Sequence, residues 1–131
     1  MAYFGNIEKL TLENECFRQV IFTGPNSQLV VMSLKPGEEI GAEVHPSIDQ
    51  FFRIETGNGK VIIDGKKTVL RSGAGIVVPA GARHNVVNTS AKRPLKLYTI
   101  YSPPEHQDKV VRKTKQEAMK KEEHFDGKTT E

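Results

Sequence analysis

Four side chains in this 131-residue sequence have the types and spacing to hold a metal ion: Glu43, His45, Gln50 and His84. Glu43 and His45 are two residues apart, so on an extended strand both project from one face. Gln50 heads a run in which Gln50, Phe52 and Ile54 share one face, and Phe51, Arg53 and Glu55 share the other. His84 follows Pro79-Ala80-Gly81, a turn able to return a fourth donor to the same interior. Two imidazoles, a carboxylate and an amide suit one divalent transition metal: Fe, Mn, Ni, Cu or Zn. Taken singly, each residue also has an ordinary role, Glu43 solvated and the histidines on the surface or in a core. The chemistry therefore depends on elements that bring distant segments together.

Those elements read as strands. Glycine and proline interrupt the first hundred residues at short intervals, as in all-β domains. The β-rich runs are Phe17 to Thr23, Gln28 to Leu34, Gln50 to Thr56, Gly59 to Asp64, Lys67 to Leu70, Gly75 to Pro79, His84 to Asn88 and Leu95 to Ser102. Asp64-Gly65 between two such runs is a tight-hairpin signal, because both residues tolerate positive φ. Strands at this spacing predict an all-β sandwich or barrel around one core.

Beyond Ser102 the character changes. Pro103-Pro104 ends the last strand, and the rest is rich in Lys, Glu and Gln. The expected organisation is a β domain over 1–102 and a charged C-terminal extension over 103–131. Within the extension, Thr114 and Glu117 stand at capping-box spacing for a short helix. A solvated, partly mobile tail is the other reading.

Composition narrows the function classes. Lys+Arg total 19 against 16 Asp+Glu, a formal net charge of +3. The extension is neutral, with seven basic and seven acidic residues, and the remaining excess is scattered. A phosphate backbone wants a clustered basic face, so no nucleic-acid partner is expected. No run approaches a membrane span, and the first residues lack the basic and apolar regions of a secretory signal. Cys16 is the single cysteine, so no intrachain disulfide forms and a cytoplasmic location is expected.

The segment Gly37 to Gly57 reads G-EEIGA-E-V-H-PSID-Q-FFRIET-G, and Gly73 to Asn88 reads G-AGIVV-P-A-G-AR-H-NVV-N. Together they resemble the two cupin motifs in order. Glu43 stands where the first motif usually has its first His, and Gln50 where it usually has Glu. The second motif matches at Gly73, Pro79, Gly81, His84 and Asn88. The resemblance implies a double-stranded β-helix, a jelly-roll barrel with the metal held inside its mouth by Glu43, His45, Gln50 and His84. It also implies turn roles for the glycines and Pro79, and a strand-capping role for Asn88. Small cupins similar to this one include isomerase-like and dioxygenase-like proteins, so a metal-dependent enzyme acting on a small polar organic molecule is expected. The weak Gln50 donor leaves open a non-catalytic binding module with a relic site. A homodimer is expected to shield edge strands.

Further candidates follow from these expectations. Phe52, Ile54, Ile63, Val77, Tyr98, Ile100 and Tyr101 are expected on inward faces, mostly as core. Arg53 and Arg83 are candidates for binding an anion at the mouth. His106 and His124, in the polar extension, are either surface residues or groups that fold over the opening as a lid or supply a general acid. Asp49 should face away from the site in a regular strand. Proton competition for the imidazoles is expected near pH 6, around the ordinary histidine pKa of about 6.5.

Overall fold

A computed structural model describes residues 2–130. Among them, α1 (Ile7–Glu13) precedes eight strands: β1 (Arg18–Thr23), β2 (Gln28–Leu34), β3 (Asp49–Thr56), β4 (Gly59–Ile63), β5 (Lys66–Leu70), β6 (Gly75–Val78), β7 (His84–Asn88) and β8 (Leu95–Ser102). A two-residue β9 (Val111–Arg112) and α2 (Lys115–Lys120) follow. The strand runs read from the sequence thus recur to within a residue at either end. None of the described helices is long and apolar enough to cross a membrane.

The strands form two antiparallel sheets, one ordered β6-β3-β8-β2-β1-β9 and one ordered β5-β4-β7. The expected closed barrel is not found among the described residues. The segment joining β2 to β3 meets β7 of the small sheet only through two isolated bridges, Glu39 to Val87 and Glu43 to His84. The reason lies in the segment joining β2 to β3. Pro36 and Pro46 lack N–H donors, and Gly37 and Gly41 take φ of 76° and 107°, so no continuous ladder can form there.

Alternation sets the core. On β3 the buried residues are Gln50, Phe52 and Ile54; on β7 they are His84, Val86 and Asn88. Val30, Met32, Leu34, Leu95 and Leu97 from the large sheet meet Val61, Leu70 and Val86 from the small one in a single cluster. Each fully buried aliphatic side chain there contributes about 1.5–3 kcal/mol of transfer free energy. On β8 the odd-numbered residues Leu97, Thr99 and Tyr101 point inward, which corrects the expectation for Tyr98 and Ile100. Tyr98 instead meets Phe51 on the outer face, and Val77 is 70% exposed.

Turn chemistry acts as the residues predict. Asp64 and Gly65 both take positive φ, 48° and 84°, closing the β4–β5 hairpin. A Cβ on Gly59 would lie 2.6 Å from the Val87 carbonyl oxygen, so this position admits only glycine where β4 crosses the core.

The extension folds back on the large sheet. β9 pairs with β1, matching Arg18 with Arg112, and the Thr130 N–H donates to the Thr23 carbonyl at 2.9 Å. Thr114 caps α2, its hydroxyl accepting from the Glu117 N–H at 3.0 Å. The sequence places no element before Phe17, yet α1 forms there, capped by Asn6 and held by the buried Thr11.

Candidate metal centre

Backbone pairing assembles the candidate ligands. Glu43 is not in a regular strand; its N–H donates to the His84 carbonyl at 2.8 Å, and the His84 N–H donates to the Glu43 carbonyl at 2.9 Å. The Gly81 N–H donates to the His45 carbonyl at 2.9 Å, tying the turn before His84 to the other imidazole. One ligand atom from each of Glu43, His45 and His84 lies within 4.8 Å of the others.

Gln50 joins this group through His84. Its Oε1 stands 3.1 Å from His84 Nε2, and its Nε2 donates to the Thr99 hydroxyl at 3.0 Å. His84 Nδ1 faces the Ala82 carbonyl at 3.1 Å. A neutral imidazole carries one N–H. Both ring nitrogens face oxygens, so whichever carries the proton, one lone pair of a neutral ring faces an acceptor. With the N–H on Nδ1, a cation held by Nε2 and the Gln50 oxygen would satisfy both. The donor set therefore fits a divalent metal, with Glu43, His45 and His84 as the strong donors and the Gln50 oxygen beside them.

His45 sits between two carboxylates. Its Nε2 is 3.1 Å from Glu43 Oε2, and its Nδ1 is 2.8 Å from Glu105 Oε2. The Glu105 hydrogen bond, followed by that of Glu43, raises the His45 pKa to about 9 against the opposing effect of burial. Burial pushes both carboxyls up, but the His45 hydrogen bond and charge outweigh it, and both end below their ordinary values. With Nε2 given to a metal, His45 keeps its Nδ1–H for Glu105, the arrangement that orients metal-bound histidines. Sequence reasoning missed Glu105. It lies in an irregular stretch with no periodicity, and its role comes from the extension folding back.

The two extension histidines differ. His106 is buried, with Nε2 3.2 Å from the Tyr101 hydroxyl and Nδ1 3.2 Å from Glu123 Oε2. Burial lowers its pKa, with Glu123 opposing. His124 is exposed and reaches Glu105 Oε1 at 3.3 Å. Asp49 faces outward as expected, accepting the Ala80 N–H at 2.8 Å.

An open cavity of about 170 Å³ lies against this cluster, lined by Arg18, Ile40, Glu43, Glu105 and His106 together with residues of α2 and the segment after it. Neither Arg53 nor Arg83 lines it. Arg53 projects from the outer face of β3 toward Glu55, 3.6 Å away, and Arg83 is exposed. The arginine that lines the cavity is Arg18, which the sequence did not single out because nothing local marks it.

Known proteins share this arrangement of chain. The model of the cupin domain family matches residues 30–101. The Bacillus subtilis (strain 168) protein YrkC is 45% identical over 124 residues, which is 90% of this chain and 66% of YrkC. Protein L612 of Acanthamoeba polyphaga mimivirus is 49% identical over 109 residues, 80% of this chain and 68% of that protein. The crystal structure of BH2720 from Bacillus halodurans superposes with a TM-score of 0.90 at 41% identity, covering 92% of this chain and 96% of that one. The family match spans both motif segments and the strands that carry them, and the chain belongs to the cupin family.

Proposed function

We propose that this cupin binds one divalent transition metal through Glu43, His45 and His84, with Gln50 as a weak fourth partner, and is a metal-dependent enzyme acting on a small polar organic molecule. The observation that carries the reading is the convergence of three donor atoms within 4.8 Å, one of them on Glu43, which lines a cavity. A bound metal of this kind supplies Lewis-acid or redox chemistry of the isomerase or dioxygenase type. The chain's own residues orient the donors. Ala82 fixes the His84 ring, Glu105 fixes the His45 ring, and Thr99 fixes the Gln50 amide.

Elemental analysis of protein purified without a His tag tests the ligand set. His45→Ala and His84→Ala should each lose the metal, while Gln50→Ala should keep most of it, because a neutral amide oxygen is a poor ligand beside imidazole. Full retention of metal in His45→Ala would remove the site as drawn. A second reading, a non-catalytic metal-binding module, draws on the engagement of both Glu43 and Glu105 with His45, which leaves neither carboxylate free as a base. A substrate panel run with and without chelator separates the two, since only the enzyme shows chelator-sensitive turnover.

A further inference from the structure

Arg18 lowers the carboxyls of Glu43 and Glu123 through space but reaches neither at contact distance. Among the described residues its guanidinium makes no hydrogen bond and no ion pair, and its Nε is buried without a partner. Its Cζ rests 5.4 Å from the centre of the Phe17 ring, which supports the cation without satisfying its donors. The backbone beneath is fixed on both sides, Arg18 pairing with Met32 on β2 and with Arg112 on β9. Like charges placed opposite each other are unfavourable. Arg112 makes an ion pair with Glu123 at 3.7 Å, whereas Arg18 makes none and acts on Glu123 only through space. The other charged groups near it are already engaged: Glu43 and Glu105 with His45, and Glu123 with His106 and Arg112.

We propose that Arg18 is the anchor for the carboxylate of a small organic acid that occupies the cavity whose wall includes Glu43, the candidate ligand nearest that space, together with Glu105 and His106. A planar guanidinium with unused donors matches a carboxylate in bidentate fashion. The wall carries four carboxylates, Glu43, Glu105, Glu122 and Glu123, against Arg18 and Lys115. An anion therefore gains only by docking directly on the Arg18 guanidinium, and a phosphate dianion is repelled more than a carboxylate monoanion. The cavity, at about 170 Å³, is smaller than the roughly 300–1,000 Å³ of drug-sized ligand sites, which favours a small ligand. The proposal deepens the functional reading by naming the substrate class, and it rests on that reading only for what the acid's other end meets.

Calorimetry with acetate, lactate and pyruvate, each against its neutral amide, tests the anchor on wild type, Arg18→Met and Arg18→Lys after incubation with zinc, with bound zinc measured in each. In wild type at least one acid should bind about tenfold or more tightly than its amide. Arg18→Met should abolish that preference with zinc content unchanged, and Arg18→Lys should restore part of it in a protein that keeps the charge and the fold. Wild type that takes up no zinc overturns the metal reading, and the acid-against-amide preference still decides the anchor in that same protein. Equal binding of every acid and amide, or an Arg18→Met protein that keeps the wild-type preference, overturns the proposal.

Discussion

His45 Nδ1 lies 2.8 Å from Glu105 Oε2, which joins the first motif of the cupin domain to the start of the C-terminal extension. The extension therefore does more than follow the last strand. It supplies the carboxylate that orients a candidate metal ligand.

Removing that carboxylate should weaken metal binding without abolishing it. Outer carboxylates on ligating histidines contribute roughly 10–100-fold to affinity. Glu105→Ala is expected to fall in that range, with stoichiometric loading still reached at high metal concentration. Competition against a chromophoric chelator gives the two affinities, and an unchanged value would detach Glu105 from the site.

Metal-free protein should lose stability in alkali. The His45 pKa is raised from 6.5 to about 9, first by the Glu105 hydrogen bond and then by Glu43. A group raised in this way contributes stability that is fully present below its unfolded value and lost as pH climbs through its folded one. Thermal melts of the metal-free protein should therefore show Tm declining between about pH 6.5 and pH 9, and the decline should shrink in Glu105→Ala. The same geometry moves proton competition at this ligand upward from the pH 6 expected of an ordinary histidine. A Tm that is flat across the window would contradict the buried pairing.

Gln28 holds the extension in place. Its Nε2 donates to the Thr23 hydroxyl at 2.9 Å and to the His106 carbonyl at 2.7 Å, and its Oε1 accepts from the N–H groups of Glu105 and His106 at 3.2 and 3.0 Å. It is 1% exposed. Gln28→Leu keeps the volume but leaves those backbone groups unpaired, at a cost of roughly 2–4 kcal/mol. Urea unfolding measures that loss. Metal affinity should fall with it, because Glu105 loses its backbone anchor.

Asn88 should matter for folding and not for metal. Its Nδ2 donates to the carbonyls of Leu34, Lys35 and Arg93, and its Oδ1 accepts the Ser90 N–H. Asn88→Ala should lower stability by roughly 2–4 kcal/mol. Metal per mole of folded protein should stay at the wild-type value by elemental analysis. Loss of metal from the folded fraction would mean that Asn88 reaches the site.

The sequence by itself determined the strands and the inward face of β3, and it singled out Glu43, His45 and His84, which the fold brings together. These rest on local rules: the two-residue repeat of a strand, glycine at positive φ in turns, and the fixed spacing of two motifs. The Gln50-Phe52-Ile54 face and the Asp64-Gly65 hairpin follow from such rules and recur in the structure. Other features were decided only by tertiary packing. The sheets stop short of a closed barrel because prolines and positive-φ glycines break one crossing segment into isolated bridges. Parity alone does not say which face of β8 is inward; the pairing of Tyr101 with the inward-facing Gln50 decides it and puts Tyr98 and Ile100 on the outer face. Glu105 and Arg18 reach the cavity because the extension folds back and β9 pairs with β1. Neither residue carries a local pattern, and contacts between segments so far apart along the chain leave no periodic trace in the residues that make them.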